Sequence, residues 1–554
     1  MVGSQNATNF GVHYEMIDSI ERNLADYEAF SNERTGSLSF DSMICGREDL
    51  CFEFRMQCFE GVDSSCTLDM LTQKFHEMAQ KVDATIKETL DNSLPTDFDD
   101  SDTPNNAGPS NGGNIVEEEK NRGKKMANAG LLQGRDGLKD NIKNIAKHHL
   151  IFKYTVVHDG IKQSFVVATA NLAELKAASI SGLLHSILIA LYAAGLSVCF
   201  LVGDGASENA LLFASLSQTK ISHFLPVNIQ QRFRNCLKAG IFDEPVAMKN
   251  PCSGEYVFIA EDMPHVIKRI VNAMEMSTID PKTRNLWFGD NPINLGAIRD
   301  IWLATEGSDY GLKTTKLSRR HFSKTSYSRM TVHLATQVLS ESVANLMEKA
   351  IEDPEMDLSM EGRKYQRLIE LIRHCNKLVD ICNGRKFKNN PHSGAFTRLN
   401  AVPMRESLLE ILEWFDSWKL SIKERPISES EMEEARAKDG EDVAKGKTKK
   451  AKEYRALEQQ IMKDRKKLFF SDQTWTGVKG LILAMVGLLE CYVIDQDYSI
   501  NPRNCNSDPC EKHFGNTRQL AGSTDAITVL TANQADNNAN AFGLTHQNPK
   551  GNTS

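Results

Sequence analysis

The sequence predicts an α/β fold in which a partly antiparallel sheet is interrupted by a long helical block. Apolar residues alternate in residues 36–61 and 150–170, as expected of half-buried strands. The helix-like run "LKAASISGLLHSILIALYAAG" then leads into a further strand-like run, "LSVCFLVGDGASEN". From about Ala210 to Ile422 the apolar spacing is mostly helical. The order strand, strand, strand, helix, strand favours an α/β core.

Composition narrows the class of protein. The chain has 554 residues, 41% of them hydrophobic, and a formal net charge of −8, so contact with a polyanion would have to come from local basic patches. Its 12 cysteines form no C-x-x-C pair, which predicts free thiols in a reducing compartment. The most apolar stretch, Gly480–Ile494, contains Glu490 and is shorter than the roughly 20 residues of a membrane span, so a buried helix is expected there.

Changes in composition divide the chain. Residues 91–147 are polar and poor in large apolar side chains, which predicts a disordered insertion, and residues 424–467 are nearly all charged. The predicted segments are an N-terminal helical segment (1–35), the first part of the core (36–215), the helical block (216–470, with the charged linker at about 424–467), the last part of the core (471–532) and a disordered tail (533–554). Within 36–61, a turn signal at residues 46–49 predicts a β-hairpin whose first strand carries Asp41.

Carboxylates stand at three informative positions. Asp41 interrupts an apolar strand, and Asp204 follows the buried run "VCFLVG", at the end of a strand where α/β sheets tend to build their sites. Asp508 and Glu511 would lie on one side of a helix that begins near Pro509. Two of these positions have a plainer explanation, because Asp204-Gly205 is a turn sequence and Asp508 is a suitable N-cap followed by a first-turn Glu.

Taken together, Asp41, Asp204 and Glu511 match the set with which an RNase H-like nuclease holds two divalent metal ions. Two such ions about 3.5–4 Å apart can activate an attacking oxygen and stabilise the leaving one. Carboxylate oxygens suit Mg²⁺, which is a hard cation. We therefore predict that these three residues are both the catalytic residues and the metal ligands.

The chain resembles the P element transposase family, which includes the THAP-domain transposases, over roughly residues 36–532 apart from the two polar insertions. "FDSM" matches the family's D-E-M context at Asp41, with Ser42 in place of Glu. A D-G-x-x-x-N phrase is matched from Asp204, and D-x-x-E-x-x-F is matched from Asp508 to Phe514. The resemblance implies an RNase H-like catalytic core interrupted by a large all-α insertion domain that binds GTP.

Two further segments carry the resemblance into the helical block. "EDMPHVIKRIVNAM" is similar to the family's D-x-P-H-x-x-K-x-x-R-N segment, with Val271 where an Arg is usual, and "NKLVDICNGRKF" is similar to F-D-x-x-N-S-R. The nucleotide contacts implied by the resemblance are Asp262, Lys268, Asp380, Asn383 and Asp508. An N-capped helix start explains Asp262 and Pro264 equally well, but it leaves His265 and Lys268 without a role.

The function implied by the resemblance is a DDE-type DNA transposase that cleaves and transfers DNA strands with two Mg²⁺ ions. GTP would be a structural cofactor, transposon ends and target DNA the partners, and a homo-oligomer in the nucleus the working form, with no membrane contact. A basic run at 313–329 could contact DNA or form a solvated helix face. "KGKTKKAK" (445–452) could be a nuclear-localisation signal or part of a linker.

Two departures from the family keep other functions open. Only about 36 residues precede the strand of Asp41, with no zinc-binding THAP pattern, and Ser42 replaces the usual Glu. These features favour a domesticated, catalytically inactive, transposase-derived protein that binds DNA or another protein, whereas the intact Asp/Asp/Glu set argues against it. A third hypothesis is a guanine-nucleotide-binding protein without nuclease activity.

Overall fold

The computed structural model describes residues 11–12, 14–26, 34–44, 51–53, 58–60, 147–161, 163–172, 174–305, 315–322, 332–353, 362–384, 390, 392–429, 431, 433, 450–520 and 532. Nearly all of the insertion predicted at 91–147, the centre of the charged linker and the tail predicted at 533–554 lie outside the described residues.

The strands are β1 (Gly11–Val12), β2 (Thr35–Ile44), β3 (Cys51–Glu53), β4 (Cys58–Glu60), β5 (His148–Val156), β6 (Ser164–Leu172), β7 (Ser197–Gly203), β8 (Thr219–Lys220), β9 (Pro245–Lys249), β10 (Tyr256–Glu261), β11 (Trp287–Phe288) and β12 (Asn291–Pro292). The α-helices are α1 (Tyr14–Asp26), α2 (Ala177–Ala193), α3 (Ser207–Leu216), α4 (Val227–Arg232), α5 (Arg234–Lys238), α6 (Met263–Ile279), α7 (Leu295–Ala304), α8 (Arg319–Phe322), α9 (Val332–Val338), α10 (Glu341–Glu352), α11 (Gly362–Asn383), α12 (Ala401–Glu424), α13 (Lys450–Arg465), α14 (Asp472–Leu488) and α15 (Asp508–Leu520).

One mixed sheet organises the structure. Its strand order is β1-β6-β5-β2-β7-β10-β9-β8. Strand β2 pairs antiparallel with β5 and parallel with β7, while β6 is antiparallel to β5 and β10 is parallel to β7. The prediction of an α/β core with a partly antiparallel sheet is therefore confirmed.

The predicted hairpin between the two halves of residues 36–61 is wrong. Strand β2 uses one edge to pair with β5 and the other to pair with β7, which leaves no edge for the segment that follows it. Strand β3 pairs with β4 in a separate two-stranded sheet. Alternating apolar residues identify a strand, but they do not identify its partner.

The helical prediction from about residue 210 is wrong for the segment that contains β8, β9 and β10. All three strands belong to the main sheet, and β10 pairs with β7 at its centre. The apolar runs of β9 and β10 are only 5 and 6 residues long, and periodicity does not distinguish such short runs from buried helix. Helices predominate among the described residues only after Glu261.

Helices cover both faces of the sheet. On one face, α1 buries Ile17, Ile20 and Leu24 in a core that it shares with α2 and the strands. On the other face, α6 and α14 pack against β7 and β10 in a larger core that continues into the helical part of the chain. The predicted N-terminal helical segment thus contains α1 among its described residues, and this helix packs on the sheet.

The apolar helix near the end of the chain is a core helix. Helix α14 continues as one π-helical turn, Leu489–Ile494. The segment Asp472–Ile494 is long and apolar enough to cross a membrane, but 78% of its apolar window is buried inside the protein. Glu490 is buried there because it pairs with Arg405 of α12 at 2.5 Å. This agrees with the predicted buried helix.

Candidate active site

Asp41 and Asp204 come together through the register of two parallel strands. Ser39 of β2 pairs with Val202 of β7, and each aspartate lies two residues further along its chain. Because side chains repeat every two residues in a strand, the two carboxylates share one face of the sheet at its carboxyl edge. Their closeness is reflected in the pKa of Asp41, which the charge of Asp204 raises.

The carboxylate of Asp204 is oriented by the start of α3. Its Oδ1 accepts hydrogen bonds from the Asn209 side-chain amide at 2.6 Å and from the Ala206 backbone N–H at 3.0 Å. Asn209 itself is buried. The spacing D-G-x-x-x-N therefore has a physical basis here, because it allows the Asn of the first helical turn to hold the Asp in place.

Glu511 reaches the same region from α15, which packs against β2 and β5. Phe514 and Cys510 are buried against Met43 and Ile151, and the Cys510 thiol lies 3.3 Å from the Ser39 hydroxyl. These contacts hold the first turn of α15 over the strand of Asp41. The Glu511 side chain is 45% exposed, so the cluster is open to solvent on this side.

The carboxylates perturb one another. Burial, followed by the charge of Asp204, raises the pKa of Asp41 to about 7, although the Ser42 N–H at 2.7 Å and His265 act in the opposite direction. Burial also raises the pKa of Glu511, whose charge is a further cause of the Asp41 shift. The structure thus brings Asp41, Asp204 and Glu511 into one electrostatic cluster.

Asp262 lies in this cluster as well. It follows β10, and its backbone N–H donates to the Gly203 carbonyl at 2.9 Å. Its Oδ1 accepts from the Ser507 backbone N–H at 3.0 Å, and the side chain is fully buried. A guanine base would reach this carboxylate only if the segment around Ser507 moved.

His265, one turn into α6, stands between two carboxylates. Its Nδ1 lies 3.3 Å from Oδ2 of Asp262, and its Nε2 lies 3.7 Å from Oε1 of Glu511. Burial acts to lower the pKa of His265, but the nearby charges of Asp262 and Glu511 outweigh it and raise the pKa. His265 was not among the predicted site residues, although the D-x-P-H spacing was its signal.

A buried ion pair lies next to the carboxylate cluster. Arg269 of α6 pairs with Glu261, the last residue of β10. The pair packs against Gly205 and Gly477, where a Cβ atom would collide with it. Burial lowers the pKa of Arg269, and the charge of Asp204 acts to raise it. Sequence reasoning missed this pair; the two glycines, which leave room for it, were the available signal.

The predicted nucleotide contacts fall into two groups. Lys268 and Asp508 lie near Glu511, since their charges affect its pKa, as does that of Asp262. Asp380 instead borders a cavity of about 710 Å³ between α10 and α11, where it accepts hydrogen bonds from Asn376 at 2.9 Å and Asn390 at 2.8 Å.

Asn383, the fifth predicted nucleotide contact, lies between these two groups of residues. It is the last residue of α11, and the next residue, Gly384, packs closely against Asn501 and Pro502. Arg503 follows directly, and its charge acts to lower the pKa of Asp508. The short segment before α15 therefore separates the end of α11 from the carboxylate cluster.

The basic run predicted as a DNA contact is only partly described. Lys316, Arg319 and Arg320 are exposed on or beside α8, which is anchored to α9 by a 2.9 Å contact between His321 and Gln337. The remaining basic residues of the run lie outside the described residues, as do most of residues 445–452. Eight of the cysteines in the described part of the chain, those from Cys199 to Cys510, are free thiols, in line with the prediction.

Fold and site together define a mixed α/β protein with many helices and a carboxylate cluster at the carboxyl edge of its sheet. Residues 265–394 match the family model of the TNP-like, GTP-binding insertion domain. The structure is similar to the "Drosophila P element transposase strand transfer complex", with a TM-score of 0.52 and 13% sequence identity, over 98% of this chain and 84% of that chain. No curated protein matches the sequence. The family model over residues 265–394 and the similarity of fold both agree with the predicted resemblance to the P element transposases.

Proposed function

We propose that this chain is a DDE-type DNA transposase with an RNase H-like core and a helical GTP-binding insertion domain. The core would consist of strands β6, β5, β2, β7 and β10 with the helices that cover them. The observation that carries the proposal is the convergence of Asp41, Asp204 and Glu511, which belong to a central strand, its parallel neighbour and a helix from the far end of the chain.

The carboxylate chemistry of Asp41, Asp204 and Glu511 suits divalent metal ions, although the described residues whose ligand atoms lie within 4.8 Å of one another are Asp262, His265 and Glu511. Three carboxylates lie close enough for Asp204 and Glu511 to raise the pKa of Asp41, and cations would relieve this repulsion. Carboxylate oxygens suit Mg²⁺, and two bound Mg²⁺ ions would activate the attacking oxygen and stabilise the leaving one. Asp41, Asp204 and Glu511 would be the ligands.

The protein's own contribution would be to hold these ligands. Asn209 and the Ala206 N–H orient Asp204, and the packing of Phe514 and Cys510 positions the helix of Glu511. The proposed reactions are attack of water on the phosphodiester at a transposon end, followed by attack of the freed 3′-hydroxyl on target DNA. Both are in-line displacements at phosphorus, in which one P–O bond forms and one breaks.

GTP binding is proposed for the helical segment that matches the GTP-binding insertion domain. Of the predicted contacts Lys268, Asp380, Asn383 and Asp508, Asp380 would contact the nucleotide in the cavity that the basic residues Arg373 and Lys377 also line. Lys268 and Asp508 belong to the other group, beside Glu511. GTP would act as a structural cofactor. A contact between Asp262 and the nucleotide would require a movement of the segment around Ser507, because the Asp262 carboxylate is buried against that segment.

The remaining parts of the proposal concern partners and location. DNA would be contacted by exposed basic residues such as Lys316, Arg319 and Arg320. A homo-oligomer in the nucleus is proposed on the strength of the family resemblance.

The test of catalysis is Mg²⁺-dependent cleavage of a plasmid that carries this gene with its flanking genomic DNA. The Asp204→Asn variant should lose cleavage while it keeps the unfolding temperature of the parent protein. The control is Asp300→Asn, since Asp300 is exposed on α7 and pairs with its neighbour Arg299. Cleavage retained by Asp204→Asn would refute the assignment.

Nucleotide binding is tested separately by calorimetric titration with GTP. The Asp380→Ala variant should bind GTP at least about tenfold more weakly, which corresponds to about 1.4 kcal/mol. GTP binding without any cleavage would favour a nucleotide-binding protein that is not a nuclease. Equal affinity in the parent protein and the variant would remove Asp380 from the site.

A further inference from the structure

Asp262, His265 and Glu511 form a second set of potential metal ligands beside the three predicted ones. One ligand atom from each residue lies within 4.8 Å of the other two. The closest approaches to the imidazole are 3.3 Å from Asp262 and 3.7 Å from Glu511. Donor atoms about 2.0–2.2 Å from a metal ion are roughly 3–4 Å from one another. The spacing therefore suits ligands that share a single ion.

Two atoms in this set have no hydrogen bond. Oδ2 of Asp262 and Nδ1 of His265 are both buried, and neither makes a hydrogen bond within the described residues. The two atoms lie 3.3 Å apart in an ion-pair contact that falls short of a hydrogen bond. A buried carboxylate oxygen with no hydrogen bond is costly, so an additional ligand for this atom is expected.

We propose that Asp262, His265 and Glu511 bind one first-row transition-metal dication, with Mn²⁺ as the working example. Two carboxylates and a neutral imidazole balance the charge of a dication. The imidazole nitrogen distinguishes this site from an all-oxygen Mg²⁺ site, because nitrogen donors favour transition metals. The inference rests on the proposed function in one respect, since Glu511 is shared with Asp41 and Asp204.

The arrangement gives the buried pair a defined role. Asp262 is held in place by Ser507, and His265 stands on the first turn of α6. Glu511 is the partly exposed member, and an ion bound to all three residues would fix its carboxylate. Asp262 and His265 would then be metal ligands in their own right.

The test is Mn²⁺ binding to the full chain without DNA, followed by pulsed EPR, which detects a directly bonded ¹⁴N nucleus. The parent protein should show ¹⁴N coupling. His265→Gln should lose the coupling and bind Mn²⁺ at least about tenfold more weakly. Asp262→Asn keeps an acceptor for the Ser507 N–H, so it should fold normally and also weaken Mn²⁺ binding. His185→Gln, at an exposed histidine on α2, is the matched control and should behave like the parent protein.

Each outcome decides the inference. Absence of ¹⁴N coupling in the parent protein, or its persistence in His265→Gln, would overturn the metal site and leave an Asp262–His265 pair that positions Glu511 without an ion. Unchanged Mn²⁺ affinity in Asp262→Asn would remove Asp262 from the site, even if His265→Gln failed to fold. Coupling in a protein that does not cleave DNA would support the metal site and refute the nuclease proposal.

Discussion

The backbone N–H of Ser507 donates a 3.0 Å hydrogen bond to the carboxylate of Asp262, across 245 residues of sequence. This bond joins the segment that leads into α15 to the end of β10. Because Glu511 lies in the first turn of α15, its position depends on the last parallel strand of the sheet as well as on β2 and β5.

Replacement of Asp262 by Ala should therefore reduce both stability and cleavage. The buried Ser507 N–H would lose its acceptor, which lowers the free energy of unfolding by about 1–3 kcal/mol. Urea unfolding measures this change. The control is Asp300→Ala, at an exposed position on α7 where the carboxylate pairs with the neighbouring Arg299, which should cost much less. Equal losses in the two variants would show that the bond to Ser507 is unimportant.

Two glycines on α14 should respond in opposite ways to substitution by Ala. A Cβ atom at Gly477 would collide with the paired side chains of Arg269 and Glu261, so Gly477→Ala should destabilise the protein by about 1–3 kcal/mol. At Gly480 nothing lies within 4 Å of the added Cβ, and Gly480→Ala should stabilise the helix by about 0.5–1 kcal/mol. Thermal unfolding of both variants checks the sign. A stabilised Gly477→Ala would contradict the observed packing.

The buried pair of Arg405 and Glu490 should be strongly coupled. Removal of either partner leaves an uncompensated buried charge, and Arg405→Met or Glu490→Leu alone should cost about 3–5 kcal/mol. The double variant should cost much less than the sum of the two. A double-mutant cycle measured by denaturant unfolding gives this coupling, and strictly additive effects would contradict the prediction.

The raised pKa of Asp41 leads to a prediction of how the free energy of unfolding depends on pH in the absence of divalent cations. Its pKa is raised from 3.8 to about 7, so the folded protein binds the proton more tightly than the unfolded chain does. This contribution to stability is complete below about pH 4 and is lost as the pH rises toward 7.

Asp41→Asn removes that titration and keeps an oxygen acceptor for the Ser42 N–H. At pH 8 the variant should be more stable than the parent protein by on the order of 2 kcal/mol, and the difference should shrink toward pH 4. Added Mg²⁺ should reverse the order at pH 8, because only the parent protein has the complete carboxylate set. Unfolding curves at several pH values test this, and a difference that does not change with pH would contradict it.

Sequence patterns predicted those site residues that stand out from their immediate neighbours along the chain. Asp41 interrupts an apolar strand and Asp204 ends one, and the structure joins these strands side by side. The role of Asp262 beside Glu511 was not predictable in this way, because it depends on β10 joining the main sheet. That strand is 6 residues long and has no local feature that distinguishes it from a buried helix.

The wrong prediction of a hairpin in residues 36–61 also arose because strand pairing is not a local property of the sequence. Strand β2 finds its partners about one hundred and one hundred and sixty residues away, and only the assembled sheet determines that pairing. The ion pair of Arg269 and Glu261 was missed for the same reason, since each residue alone resembles an ordinary surface charge.

The order of the carboxylates along the chain has a consequence for the newly made protein. Asp41 and Asp204 are synthesised early, whereas Glu511 and Ser507 follow only after the whole helical segment. At roughly 5–20 residues per second, the roughly three hundred residues after Asp204 take on the order of 15–60 s to translate. During that interval the sheet can form around two aspartates without the third carboxylate. Under the proposed function, a ribosome-bound chain would therefore remain inert toward DNA until the segment that carries Glu511 has been made.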